Sequence, residues 1–302
     1  MDGEALARYG AVQGDMEARL RRSIDTEADP PCFVLTADER CPFLNRNGLC
    51  DLITELGEGA LCHICADHPR FRHVLSDRVE LGLGLCCEAA AGLILTRTEP
   101  FSLVELPAAD AARERYALNE AEPLDPRTQE ILAVRDALLT VLRDRTLPLS
   151  DRIHRVCAEM GINRTVCDGD PLGSYGGIAA LLRDLERLDP SWDGCLDGLE
   201  TLSGDPWSEL EGETGVAYEN LVCYFLYRYL PADDTDWQET PRTCVAFAIL
   251  CTVLIHAIHR AAGGKDPDSL CEIARMFSSE IEYSEENTER LMEEIEWAVR
   301  EW

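Results

Sequence analysis

Apolar positions fall irregularly through the first third of the chain, then repeat at helical spacing almost without a break beyond residue 105. The early pattern predicts one helix from Ala5 to Ile24 and a short hairpin joining Phe33–Leu35 to Pro42–Leu44 around the turn-prone Ala37-Asp38. Val79 to Leu85 alternates glycine with leucine, which suits a strand or a close backbone approach, and Glu88 to Leu95 returns to a helical pattern. Asp125-Pro126 reads as an N-cap and first-turn pair ahead of Ile131, Leu132, Val134, Leu138, Leu139 and Leu142. Ser150 is placed to cap a helix carrying Ile153, Val156, Cys157 and Met160, with Gly161 as its stop. Further helices are predicted over residues 174–188, 214–230, 241–262, 266–279 and 284–301. Ser203–Pro206 and Pro231–Pro241 read as loops, the second as a surface lid. The expected fold is mainly α, with a cysteine-rich region of short strands and loops over residues 1–105 packed on a helical region over 106–302.

Composition adds the expectation of a sizeable core, since 46% of the 302 residues are hydrophobic. The 57 acidic residues outnumber 28 basic ones, and a formal charge of -29 opposes binding to nucleic acid or anionic lipid. Such acidity serves solubility, and it also attracts a cationic, lysine-bearing partner. Lys265 is the only lysine, which fits biased codon usage or an enzyme spared from modifying itself. The longest apolar stretch, Cys244 to Ile258, is interrupted by Thr252 and His256 and reads as a buried helix rather than a membrane span. No basic stretch leads into an apolar run at the N-terminus, so a cytoplasmic protein is expected.

In a reducing cytosol the 14 cysteines point to metal binding or redox work rather than disulfides. Seven of them (Cys32, Cys41, Cys50, Cys62, Cys65, Cys86 and Cys87) precede residue 90. Cys41 and Cys50 bracket a loop ending in Asn47-Gly48 that can fold back and bring both sulfurs to one point, and Cys62 and Cys65 form a two-residue-gap pair. Zinc favours paired motifs, whereas iron-sulfur clusters tolerate scattered cysteines, so the pattern leans towards iron and sulfur. The competing reading is that these are buried free thiols, which fits Cys157, Cys223, Cys244 and Cys251 better. His63, His68 and His73 are weaker ligand candidates.

Several blocks taken in order carry a resemblance: RCPFLNRNGLC at Arg40–Cys50, LGEGALCHICADHPR ending at Arg70, and LGLCCEAAAGLIL at Leu83–Leu95. Arg135, DRTLPLSDR at Asp144–Arg152, ENLVCYFLYRYLP at Glu219–Pro231 and SSEIEYSEEN at Ser278–Asn287 continue it. In these blocks the chain resembles the flagellin lysine-N-methylase family. The resemblance implies methyl transfer from S-adenosylmethionine to surface lysines of flagellin, with an associated iron-sulfur cluster of 4Fe-4S type. It places Cys41, Cys50, Cys65 and Cys86 as cluster ligands, while Cys62 and Cys87 stand where the family commonly has other residues. It also places a further cysteine block ahead of the point matched by Met1-Asp2 and Tyr9.

Arg70 is a candidate for gripping a carboxylate, or else for a structural salt bridge. Methyl transfer to lysine requires loss of the amine proton, for which Glu282 and Tyr283 are the first candidates and Glu219 and Tyr224 the next. No glycine-rich loop between strand and helix marks an α/β nucleotide-binding domain. The alternatives are a non-catalytic zinc or iron-sulfur module, a cluster-dependent oxidoreductase, and a helical interaction protein with free thiols.

Overall fold

Glycine breaks the first predicted helix in two. In a computed structural model describing residues 1–38, 40–111, 121–162, 175–202, 210, 212–230 and 241–300, α1 (Gly3–Ala11) and α2 (Asp15–Ser23) are separated by Gly14 at φ +86°. A backbone in that region favours glycine and cannot continue a right-handed helix. Asp2 caps α1 by accepting from Ala5 N at 2.8 Å. The expected hairpin is also replaced. Phe33 in β2 (Cys32–Phe33) pairs with Ile24 in β1 (Ile24–Asp25), and Leu44 instead bridges to Cys50. Phe33 gains from that choice an aromatic contact with Phe43 at 4.9 Å between ring centroids, which a local hairpin pattern does not weigh.

The described residues form two compact units, Met1–His68 and Pro69–Trp302. The first contains α1, α2, the β1–β2 pair, α3 (Asp51–Leu56) and α4 (His63–Asp67) around a small core of Ala5, Tyr9, Met16, Leu20, Phe43 and Leu52. The second begins with an antiparallel hairpin, β3 (Arg70–Val74) and β4 (Val79–Leu83), followed by α5 (Glu88–Leu95). It then becomes helical: α6 (Pro126–Leu142), α7 (Leu149–Met160), α8 (Tyr175–Asp184), α9 (Trp192–Leu196), α10 (Gly212–Tyr229), α11 (Pro241–Ala261), α12 (Pro267–Phe277) and α13 (Glu285–Arg300). The architecture is therefore a cysteine-bearing N-terminal region of short strands and loops followed by a predominantly helical region.

Asp125 caps α6 with Pro126 at its first turn, and Gly161 ends α7 in the left-handed conformation, both as expected. Ser150 instead lies inside α7, which starts one residue earlier with Pro148 at the cap. The two predicted loops at 203–206 and 231–241 fall almost wholly outside the described residues. Helix α11 is long and apolar enough to cross a membrane by length and composition, yet 89% of its apolar window is buried in the helical core against α10 and its neighbours. Cys157 has the buried apolar setting expected, but it is disulfide-bonded; helical spacing reveals a sulfur's burial, not its bonding state.

The hairpin is tied to the helices by buried polar contacts. Arg135 of α6 holds Glu80 of β4 through two hydrogen bonds, at 2.6 and 2.9 Å. Tyr227 of α10 donates to Leu81 O at 3.0 Å, and its own carbonyl lies 3.1 Å from the ring of His73. These contacts fix the end of β4 over α10, where the candidate site forms.

Candidate functional site

Beyond β4 the chain turns at Gly84, where a side chain has no room: a Cβ there would lie 2.6 Å from Tyr283 Oη and 3.1 Å from Arg228 Nη1. The turn presents Leu85 N to Tyr224 Oη at 3.3 Å and sets Cys86 beside the Tyr283 phenol. Tyr224 and Arg228 stand four residues apart on α10 and so share one face. After α12 the backbone widens into a π-helical turn, Ser278–Glu282, and this extra-residue geometry ends at Glu282 and Tyr283.

The Glu282 side chain is fully buried, yet its carboxylate is well supplied with donors: Arg228 Nε at 3.0 Å, Tyr224 Oη at 3.0 Å and Tyr229 Oη at 3.2 Å. Arg228 is itself enclosed by aromatic faces, 4.9 Å from the centroid of Phe71, 5.5 Å from Tyr283 and 5.8 Å from Tyr229. The result is a cation held by a carboxylate within an aromatic box. Tyr283, 45% exposed, forms its outer wall.

The electrostatics keep the phenols neutral and the guanidinium charged. Burial, reinforced by the Glu282 charge, pushes the hydroxyls of Tyr224 and Tyr229 far up. Burial also raises Tyr283, helped by its hydrogen bond to Cys86. Desolvation works against the Arg228 charge, but Glu282 and the surrounding phenols more than offset it and hold the group above its usual range. Burial raises the Cys86 thiol, and the hydrogen bond from Tyr283 partly opposes that rise.

Of the residues singled out in the sequence, Glu282, Tyr283, Tyr224 and Cys86 converge here. Arg70 is exposed at the start of β3, opposite Leu83. Glu219 is committed elsewhere, buried between Arg145 at 2.9 Å and Arg152 at 2.7 Å. Arg228, Tyr229 and Gly84 were missed, although the run Tyr224–Tyr229 spaces two tyrosines and an arginine for one helix face.

The other expected ligands lie in the first unit. The loop after Cys41 folds back as anticipated, with Gly48 at φ +75°, Asn45 N donating to Leu49 O at 2.9 Å, and Leu44 bridging Cys50. Cys62 Sγ lies 3.4 Å from Cys65 Sγ, and Cys65 also feels the charges of Cys41 and Cys50. The hydrogen bond between the two sulfurs lowers the Cys62 thiol to about 6 and raises Cys65 in return. Cys62 thus takes a place among these thiols, while Cys86 belongs to the second unit. An iron-sulfur cluster needs several sulfurs converging on it. Among the described residues no group of three or more His, Cys, Asp or Glu side chains is arranged to hold a metal ion.

Among the described residues the only sheets are two antiparallel pairs, unlike the parallel sheet of a nucleotide-binding α/β domain. No family model and no solved structure matches the chain. Over 65 residues it is 34% identical to the Lysine-N-methylase of Salmonella typhimurium and to that of Salmonella choleraesuis, covering 22% of this chain and 16% of each relative. The Flagellar biosynthetic protein FliU of Salmonella muenchen is likewise 34% identical over 65 residues, 22% of this chain and 38% of that protein. The chain therefore spans well under half the length of these curated relatives, and what the comparisons establish is a distant, partial link to proteins bearing methylase and flagellar names.

Proposed function

We propose that this protein is a protein-lysine N-methyltransferase that uses S-adenosylmethionine and acts on a lysine-bearing flagellar protein, with flagellin as the first substrate to test. The observation that carries the reading is the buried Glu282 carboxylate ringed by phenols and closed on its outer side by the half-exposed Tyr283. The partial likeness to lysine-N-methylases supports it. Bound S-adenosylmethionine would supply an electrophilic methyl group on a sulfonium.

The chain's own residues deal with the acceptor amine. A lysine side chain entering past Tyr283 meets aromatic faces that accept its methylenes and attract a cation. Once there, it leaves water and lies near the Arg228 charge, and both effects favour the neutral, nucleophilic amine. Tyr283 then orients the nitrogen through its hydroxyl, and Glu282 holds Arg228, Tyr224 and Tyr229 in register and provides a negative charge for the departing proton. The overall charge of -29 draws basic protein surfaces towards the molecule. No step runs through a metal cluster.

The direct test is incubation of the full chain with isotopically labelled S-adenosylmethionine and flagellin, followed by mass spectrometry of the modified lysines. Transfer by the native protein and a loss on the order of 10²-fold or more in Glu282→Gln is expected. Undiminished transfer by Glu282→Gln would remove Glu282 from the mechanism, and absence of transfer by the native protein to any lysine would overturn the reading.

A further inference from the structure

A cavity of about 960 Å³ opens in the second unit between β4, α5 and the extended segment Phe101–Leu106. That volume is at the upper end of the range for small-molecule sites. Its charged walls are already settled in part: Glu80 is held by Arg135 at 2.6 Å, and Asp77 by Arg78 at 2.9 Å. What remains is chiefly aromatic and aliphatic. Phe71 and Phe101 both pack on Tyr227, at 5.9 and 5.7 Å between centroids. At the rim Leu93 is 69% exposed and Leu103 48% exposed, apolar surface with no intramolecular cover. Arg97, its half-exposed side chain 3.8 Å from the more exposed Glu99, adds a cation at the same mouth, where Glu105 also lies.

The cavity also shares two walls with the Glu282 site. Tyr224 lines it and donates to Glu282 at 3.0 Å, and Phe71 lines it while its ring lies 4.9 Å from the Arg228 guanidinium. A ligand with a flat apolar ring system, a polar tail and a cationic centre fits this arrangement. The rings face Phe71, Phe101 and Tyr227, an anionic tail group faces Arg97, and the cationic centre lies against the phenol that touches Glu282.

We propose that this cavity is the binding site of the methyl donor, with the adenosine moiety between the aromatic walls and the sulfonium against Tyr224. The assignment rests on the methyltransferase reading above and adds a location to it. The probe is S-adenosylhomocysteine, which keeps the nucleoside and the amino-acid tail, titrated calorimetrically into the full chain. Leu93→Glu and Leu103→Glu place a carboxylate at the rim from exposed positions, and far-UV circular dichroism checks that each variant is folded. Hydrogen exchange on the native protein gives a second readout without substitution. Binding by the native chain, weakening by at least tenfold in both variants, and slowed exchange over Val79–Leu83 and Phe101–Leu106 are expected. Native binding unchanged in the variants, with protection elsewhere, would overturn the location and leave the methyltransferase reading standing. No binding by the native chain would overturn both.

Discussion

Glu282 and Arg228 carry opposite charges into a nearly dry site, with 0% and 14% of their side chains exposed, so each depends on the other. Removing one member of such a pair costs about 3–5 kcal/mol because the remaining charge is left buried. Arg228→Met is therefore expected to lower unfolding stability by that order in urea denaturation, well beyond an exposed arginine such as Arg127 changed the same way. Tyr283 makes a different prediction, because its exposed ring contributes little to packing while its hydroxyl stabilises the Cys86 thiolate. Tyr283→Phe should shift the pH profile of Cys86 alkylation upwards without loss of fold, as read by mass spectrometry of the modified thiol. Glu282 and Tyr283 were legible in the sequence through the block that holds them. Arg228 was not, because an arginine inside an apolar helix reads equally well as a surface position until the partner from the π turn is known.

Elements followed the apolar pattern closely where caps and glycines agreed with it. Asp125-Pro126, Gly161 and the α5 run were placed correctly because each depends on chemistry within a few residues. The first helix went wrong at Gly14, where apolar spacing was preserved across a backbone break. Asp2 now carries α1, accepting from Ala5 N and from His63 N at 2.8 Å each. Its replacement by alanine should cost about 1 kcal/mol of stability in the first unit. Although partial burial opposes its charge, the backbone donors at His63 and Ala5 lower its carboxyl from 3.8 to about 2. A depressed carboxylate stabilises the fold above its unfolded value and loses that contribution as pH falls through the folded one. Amide exchange at Ala5 and His63 should accordingly speed up as pH is lowered from about 4 to about 2, after correction for intrinsic rates, and Asp2→Asn should show no such added dependence.

At the scale of the whole molecule, the cysteines sort by environment. Cys32 and Cys65 are exposed, whereas Cys62, Cys223, Cys244 and Cys251 are buried. Brief alkylation of the reduced native chain should label exposed Cys32 ahead of Cys65, whose thiol is held protonated beside Cys62, and leave Cys223, Cys244 and Cys251 unmodified until denaturant is added, which peptide mass mapping can check. Sequence alone determined the mainly helical class, the concentration of cysteines near the N-terminus, and the acidity, because periodicity, composition and charge are properties of the chain itself. It also picked out the blocks containing Glu282, Tyr283 and Cys86. Which side chains meet was decided only by tertiary structure: Glu282 with Arg228 across α10 and the π turn, Cys65 near Cys41 and Cys50, and Gly84 beneath Tyr283. The physical reason is that a buried ion pair or an aromatic box depends on distances between segments far apart in sequence, and those distances come from packing the core rather than from any local preference.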